Sequence, residues 1–203
     1  MVQIQVRHAE AKDVDQYPED HWNYNRDLIR RFISPEYDDW SVLVVEVPDA
    51  TQAWRIVSFS IWDISYVNKR AHGPGYVLNS PPKDTREVGQ SRRDADPKHL
   101  AAFQAALKES TEKYFSQFGP DQIKLQILGA LSKYRRRGFA THLCKWGMER
   151  AARDKLVMTV SASPQGYHLY ASLGFRKLGQ KVVHAPGEEE SLLAECMVFE
   201  PGQ

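Results

Sequence analysis

The chain has 203 residues, of which 42% are hydrophobic and 26% are charged, the proportions of an ordinary globular protein. A chain of this length forms one domain, here residues 1–203, and buries a core without disulfides. Its 27 Lys and Arg against 26 Asp and Glu give a net charge of +1, which excludes a general electrostatic attraction to nucleic acid or membranes. Two cysteines are too few for a disulfide framework or a metal cluster. Without a signal-peptide core or an apolar run of about 18 residues, we expect a cytoplasmic enzyme or binding domain with no metal.

The first third of the chain predicts a short strand, a helical stretch and two buried strands. Residues 3–7 alternate as a strand, and residues 13–32 have helical spacing that Pro18 divides in two. Residues 41–47 and 54–64 are nearly continuous runs of apolar and β-branched side chains. Such runs are typical of strands that helices cover on both faces.

Residues 65–96 differ in composition from the strands before them. Gly73-Pro74-Gly75 and Pro81-Pro82 interrupt any periodicity of apolar residues there. A loop of this length is unusual inside a compact domain. We interpret it as an insertion that is either a surface excursion or a cover over a substrate, and the sequence leaves both open.

The second half of the chain alternates helices and strands and closes with a hairpin. The predicted elements are a helix over 96–118, a strand over 123–131, a helix over 137–153, a strand over 155–161, a helix over 164–173 and hairpin strands over 175–183 and 192–199. This order predicts a mixed α/β sheet with helices on both faces.

A stripe of small residues runs along the predicted helix over 137–153. Ala140, Cys144, Gly147 and Ala151 would let this helix lie close against a sheet. In such a stripe we interpret Cys144 as a packing residue and not as an acyl-carrying thiol.

The segment Ile127–Thr141 runs from a strand through a basic turn into a helix. The first N–H groups of a helix lack internal partners, and together with the helix dipole they form an anion site. Arg135, Arg136 and Arg137 add positive charge, and Gly138 leaves room for a phosphate. The segment lacks the residues of a P-loop or a dinucleotide fingerprint. A solvated basic turn or a nuclear-import patch is the alternative interpretation.

Two motifs of this region resemble the GNAT superfamily of N-acetyltransferases. Arg135, Gly138 and Ala140 match the Gln/Arg-x-x-Gly-x-Gly/Ala loop that holds the acetyl-CoA pyrophosphate, and Tyr170 to Phe175 matches the Tyr-x-x-x-Gly-Phe signature. The match covers about residues 123–178, and the first hundred residues match only in element order. Two positions depart from the family: Ser132 replaces a frequent Pro, and Lys124 replaces an acidic residue that some members use as a base.

The resemblance implies a mostly antiparallel sheet with a central splayed parallel strand pair, and acetyl-CoA as a co-substrate. Tyr170 is then the general acid that protonates the leaving thiolate. The strand before the loop would pair through its backbone with the pantetheine arm. The implied cofactor-binding residues are Leu128, Gly129, Ala130, Arg135, Arg136, Arg137, Gly138, Phe139, Ala140, Thr141 and Ser163.

The expected reaction moves acetyl to a primary amine of a small molecule or peptide by direct attack in a ternary complex, without metal, nucleic acid or membrane. No general base is assigned among the candidates His99, His168, His184, Glu46 and Asp63. Trp40, Trp62 and Tyr66 line an acceptor pocket or belong to the core.

A binding module that has lost transfer is the alternative function, whereas the balanced charge argues against nucleic-acid binding through the arginines. The sequence does not indicate the oligomeric state.

Overall fold

A computed structural model describes residues 5–8, 29–78 and 97–202. The strands are β1 (Gln5–His8), β2 (Trp40–Pro48), β3 (Trp54–Asp63), β4 (Gln122–Ala130), β5 (Val157–Ala162), β6 (Arg176–His184) and β7 (Ser191–Phe199). The helices are α1 (Tyr66–His72), α2 (Pro97–Ser110), α3 (Phe139–Asp154) and α4 (Pro164–Ser172). A π-helical turn (Thr111–Phe115) and a 3-10 turn (Ser116–Phe118) extend α2, and a second 3-10 turn (Ser132–Tyr134) follows β4. No helix in these ranges is long and apolar enough to cross a lipid bilayer.

The predicted order of strands and helices is confirmed where the structure describes the chain, with bounds that shift by one or two residues. Of the helix predicted over 13–32, residues 29–32 are described, and they lie in a helix that extends to residue 33. The rest of that prediction lies outside the described residues.

The prediction of a loop from residue 65 onward is wrong at its start, because Tyr66–His72 forms α1. The glycine and proline residues that indicated a loop lie after this helix, and they end it. Gly73 has a φ of 76° and its N–H donates to the carbonyl of Lys69 at 2.9 Å, which is a glycine helix end. The part of the predicted loop over residues 79–96 lies outside the described residues.

The chain divides into two compact units. The first contains Met1–Pro81, Asp121–Met158 and Pro201–Gln203, and the second contains Pro82–Pro120 and Thr159–Glu200. β5 contributes its first two residues to the first unit and the remainder to the second.

In the first unit the strand order is β1-β2-β3-β4, followed by the start of β5, and β1 to β4 pair antiparallel. α3 packs on β2, β3 and β4 and connects β4 to β5. A helical crossover of this kind is what neighbouring parallel strands require. Along β4, Ile127 faces Ile61 and Leu125 faces Trp62, so Gln126 is an extra residue that forms a β-bulge.

In the second unit the order is β5-β7-β6, and β6 pairs antiparallel with β7 around a turn that contains Gly187. α2 packs against β6, and α4 packs against β7. Together the two units confirm the predicted fold class, a mixed α/β fold with a mostly antiparallel sheet.

The small-residue stripe of α3 lies against Trp62, as the spacing predicts. A Cβ atom added to Gly147 would lie 2.4 Å from Cη2 of Trp62, so the helix backbone rests directly on the indole ring. Trp62 is 0% exposed, and its Nε1 donates to the hydroxyl of Ser60 at 2.8 Å. The absent side chain of Gly147 therefore sets the distance between helix and sheet.

A polar cluster joins α1 to the C-terminal end of α3. The Tyr66 hydroxyl donates to the carboxylate of Asp154, and Nε of Arg150 donates to the same hydroxyl at 2.7 Å. Nε of Arg153 donates to Asp154 at 2.7 Å. These hydrogen bonds, led by that of Arg153, lower the pKa of Asp154 to about 2. The ionised carboxylate thereby anchors α1, through the buried Tyr66, to the end of α3.

The packing of α3 predicts that Gly147→Ala destabilises the protein. A glycine-to-alanine change inside a helix ordinarily stabilises by about 0.5–1 kcal/mol. Here the added methyl overlaps Trp62, and overpacking costs about 1–3 kcal/mol. Urea unfolding should show a lower free energy of unfolding for Gly147→Ala than for the wild-type protein. In the Trp62→Phe protein, whose aromatic ring is smaller, the same change should lower the free energy of unfolding much less. Equal costs in both backgrounds would show that the indole does not limit the helix.

The cluster around Asp154 predicts a pH-dependent contribution to stability. An Asp pKa of about 2 in the folded state lies below the unfolded value of about 3.9. Because the folded pKa is the lower one, the stabilisation is present above about pH 4 and is lost as the pH falls toward about 2. Asp154→Asn should therefore be less stable than wild type at neutral pH, with a difference that shrinks below about pH 4. Glu149→Gln, exposed on the same helix, serves as the control, and a pH-independent difference for Asp154→Asn would contradict this origin.

Candidate functional site

The turn between β4 and α3 has an unusual backbone. Leu131 donates its N–H to the carbonyl of Val57 at 2.9 Å, which ties the turn to β3. After the 3-10 turn, Arg136 and Gly138 have positive φ values of 62° and 84°. A Cβ atom on Gly138 would have no heavy atom within 4 Å, so glycine is needed here for its left-handed backbone as well as for the space that it leaves to a phosphate.

α3 begins without a side-chain cap. Its first helical hydrogen bond runs from the N–H of His142 to the carbonyl of Gly138 at 3.2 Å. The backbone N–H groups of Phe139, Ala140 and Thr141 therefore have no partner within the helix. Phe139 is buried and anchors the first turn in the core. With the helix dipole, this end of α3 has the geometry of an anion site.

The three arginines before α3 are exposed. The guanidinium of Arg137 lies 5.3 Å from the ring centroid of Tyr134, and Nε of Arg135 approaches the carbonyl of Ala130 at 3.5 Å. Tyr134 in turn packs against Phe139. The positive charge is thus held at the start of the helix by ring and backbone contacts, with the guanidinium groups still open to solvent.

The last residues of β4 are partly exposed although β4 is paired with β3. Leu128, Gly129 and Ala130 are all of intermediate exposure. A Cβ atom on Gly129 would lie 2.6 Å from Cε1 of Phe59, and the Ser58 hydroxyl donates to the Gly129 carbonyl at 2.7 Å. Gly129 therefore lacks a side chain because a neighbouring ring occupies that space, and the β-bulge of this strand lies at Gln126. The sequence motif around β4 did not indicate Ser58 or Phe59, because the sequence does not show which residues face each other across paired strands.

Ser163 and Tyr170 lie on one element of the second unit, at the two ends of α4. The Ser163 hydroxyl caps α4 by accepting from the N–H of Gly166 at 3.1 Å. Tyr170 is 5% exposed, and its ring centroid lies 5.4 Å from that of Phe175. The N–H of Phe175 donates to the Tyr170 carbonyl at 3.0 Å, and Gly174 has a φ of 86°. The Tyr-x-x-x-Gly-Phe motif thus also forms the C-terminal turn of the helix.

Each candidate base either contacts another polar group or is exposed to solvent. Glu46 forms an ion pair with Arg7 at 2.8 Å, and the Asp63 carboxylate accepts from the N–H of Ser65 at 3.0 Å. Nε2 of His99 lies within hydrogen-bonding distance of the Glu188 carboxylate, at 2.7 Å. His168 and His184 are exposed, and Lys124 stands opposite Asp63 in the strand register. The structure adds no reason to choose one of them as the base.

The aromatic residues that could have lined an acceptor pocket are mainly core residues. Trp62 and Tyr66 are 0% and 2% exposed, and Trp62 packs against Trp146. Trp40 is partly exposed and packs on Phe32 with ring centroids 4.6 Å apart. The core interpretation is therefore confirmed for Trp62 and Tyr66.

Cys144 is fully buried in α3, as its place in the small-residue stripe predicts. Burial raises the pKa of its thiol to about 12, so the reactive thiolate is scarce at neutral pH. Within the described residues there is no group of three or more His, Cys, Asp or Glu that could hold a metal ion. The candidate residues of the first unit thus offer backbone N–H groups and arginine side chains, and those of the second unit offer the hydroxyls of Ser163 and Tyr170.

Known proteins resemble this chain in sequence and in fold. No family model matches it. A curated protein of Stachybotrys chartarum named "Acetyltransferase" is 26% identical over 190 residues, which cover 93% of this chain and 77% of that protein. The solved structure of a polyamine N-acetyltransferase of Drosophila melanogaster, which forms N-acetylagmatine, superposes with a TM-score of 0.60 at 12% identity, covering 98% of this chain and 100% of that one.

A third comparison concerns a structure that contains acetyl-CoA. Arabidopsis thaliana NAA60 in complex with acetyl-CoA has a TM-score of 0.56 at 13% identity and covers 99% of this chain and 100% of its own. The shared fold and the curated relative agree with the two motifs. They confirm the resemblance to the GNAT superfamily drawn from the sequence, and the chain shares the fold of these N-acetyltransferase structures.

Proposed function

We propose that this protein is an N-acetyltransferase that transfers acetyl from acetyl-CoA to a primary amine of a small molecule or peptide. The observation that carries the proposal is the uncapped start of α3, where the N–H groups of residues 139–141 follow an exposed arginine triplet. Backbone donors, a helix dipole and guanidinium groups together suit a diphosphate.

Acetyl-CoA fits the described residues in two respects. Its pyrophosphate would be bound by the backbone of Gly138 to Thr141 and by the side chains of Arg135 to Arg137. Its pantetheine arm would pair with the backbone of β4 at Leu128 to Ala130, where this strand is accessible. Ser163, whose hydroxyl proton is not used in capping Gly166, is proposed as a further donor to the cofactor.

In the proposed reaction the neutral amine nitrogen attacks the thioester carbonyl carbon, a new C–N bond forms and the C–S bond breaks. The leaving thiolate takes a proton from the Tyr170 hydroxyl, and the amine loses its proton to solvent or to a base that is not assigned. A donor at the sulfur stabilises charge that develops only in the transition state. The acetyl group is transferred directly, with no covalent enzyme intermediate.

The class of acceptor is also part of this proposal, and the names of similar proteins support it. The Drosophila neighbour is named a polyamine N-acetyltransferase, and a mosquito neighbour is named "arylalkylamine N-Acetyltransferase like 5b". We therefore place small primary amines first among the acceptors. The alternative function, an acyl-CoA-binding module without transfer, is favoured by Lys124 at the family's acidic position. A panel of amines with detection of free coenzyme A thiol separates the two, because the alternative gives binding without turnover.

Binding of acetyl-CoA is predicted to depend on Gly138. Gly138→Asp adds a negative charge and a Cβ atom at the proposed pyrophosphate site, and a repulsion of about 1.4 kcal/mol already weakens binding tenfold. The thermal shift caused by acetyl-CoA should fall accordingly. Gly187→Asp is the matched control, because Gly187 has a φ of 87°, its Cβ position is equally open and it lies in the β6–β7 turn. If Gly138→Asp retains the full shift, the pyrophosphate binds elsewhere.

The Tyr170 hydroxyl is predicted to contribute more to turnover than to the binding of acetyl-CoA. Tyr170→Phe keeps the ring that packs against Phe175, so the fold should survive. General acid catalysis contributes about 100-fold or more, and because a thiolate is a fair leaving group we expect a kcat loss of about 100-fold or less. The Kd for acetyl-CoA should change little. An unchanged kcat would restrict Tyr170 to a packing role.

A further inference from the structure

The second unit contains a pocket that the acetyl-transfer motifs do not line. It lies between the end of α2 with its π-helical turn and the middle of β6, and its volume is about 200 Å³. Ser110, Lys113 and Tyr114 line it from the helical side, and Gln180, Lys181 and Val182 line it from the strand. None of the residues assigned to acetyl-CoA above is among its lining residues.

Both walls of this pocket depart from regular structure. The helix continues beyond α2 as a π-helical turn, Thr111–Phe115, a feature often found at functional sites. On the strand side, Lys177 faces Met197 and Gly179 faces Cys196, so one extra residue forms a bulge in β6. A Cβ atom on Gly179 would lie 2.3 Å from Cε1 of Tyr114, so the tyrosine ring lies directly on the strand backbone. The π-helical turn lines the pocket through Lys113 and Tyr114, and the bulge directly precedes the lining residues of β6.

Lys181 is the unusual side chain of this pocket. It is 5% exposed, and its ammonium lies 5.0 Å from the ring centroid of Phe103. Within the described ranges no carboxylate or carbonyl forms an ion pair or hydrogen bond with it, and the neighbouring Cys196 thiol is neutral because burial raises its pKa. Lys177, four residues earlier on the same strand, is by contrast paired with Glu195 at 2.7 Å. Burial lowers the pKa of Lys181, which agrees with the lack of an ion pair.

A half-buried ammonium without a counter-charge has lost part of its hydration, and a bound anion would offset that loss. The charged residues that line the pocket are Lys113, Lys181 and Glu109, which sum to one positive charge. A single negative charge would be neutralised there, whereas a dianion such as phosphate would be opposed by Glu109. The Ser110 hydroxyl donates to the Leu107 carbonyl at 3.0 Å and the Tyr114 hydroxyl donates to the Gln180 carbonyl at 3.3 Å, so the lysine ammonium is the main donor to a bound anion. The pocket volume limits the ligand to a small molecule.

The remaining lining residues, Ala106 and Val182, present methyl groups to the pocket. They favour a short aliphatic body over a fully polar ligand. We propose that this pocket binds a small aliphatic monocarboxylate, with its carboxylate on the Lys181 ammonium and its carbon chain against Ala106 and Val182. The site is separate from the proposed acetyl-transfer chemistry, and the proposal stands whether or not transfer is confirmed.

The test uses butyrate as the probe and the full-length protein without acetyl-CoA. Ligand-observed NMR at constant ionic strength should show butyrate binding in the millimolar range expected of so small a ligand. Butyramide, which has the same shape without the charge, should bind at least about tenfold more weakly, and so should inorganic phosphate. Equal binding of butyrate and butyramide would overturn the proposal, because the ammonium would then contribute nothing.

Variants link the binding to Lys181. Lys181→Met keeps the length of the side chain and removes its charge, so butyrate binding should be lost while thermal stability without ligand is kept or raised. Lys108→Met is the matched control, since Lys108 is exposed on α2 and does not line the pocket. Ala106→Leu fills the pocket with Lys181 in place and should also abolish binding. Butyrate binding that persists in Lys181→Met or in Ala106→Leu would refute the assignment to this pocket.

Discussion

The contact between the backbone of α3 at Gly147 and the indole of Trp62 determines the geometry of the first unit. Because no side chain separates them, the helix lies as close to the sheet as an aromatic ring allows. Phe139 and Leu143, buried on the same helix, hold its first turns against the core. The position of the uncapped N-terminus, and with it the proposed pyrophosphate site, follows from this packing.

The candidate site depends on glycines for two different physical reasons. Gly138 supplies a left-handed backbone at the start of α3, in open space. Gly129 has no special φ, but its missing side chain makes room for the Phe59 ring and keeps its carbonyl within reach of the Ser58 hydroxyl. The first reason could be anticipated from the motif, whereas the second depends on which residue lies across the strand pair.

Two kinds of buried or half-buried charged side chain occur among the described residues. Glu46 and Asp154 accept hydrogen bonds from arginine side chains, which offset the loss of hydration. Lys181 lies beside an aromatic ring and a neutral thiol instead, in a pocket bounded by two backbone irregularities. Paired charges of this kind stabilise the fold, and an uncompensated one at a cavity is the reason for assigning a ligand to that pocket.

The sequence by itself determined the order of elements, the hairpin around Gly187, the close packing of α3 and the segment from Ile127 to Thr141. These features depend on local signals, namely periodicity, glycine and proline positions and a contiguous motif. Local signals are misleading at Tyr66–His72, because glycine and proline residues favour a loop there whereas Gly73 ends a helix.

Only the tertiary structure decided which carboxylates and histidines are already paired, that Trp62 and Tyr66 belong to the core, and that the bulge of β4 lies at Gln126. It also placed Lys181 in a pocket between segments about 70 residues apart in the chain. Strand register, burial and the pairing of charges arise from contacts between residues distant in sequence. No local pattern of residues specifies such contacts, because each depends on how the whole chain packs.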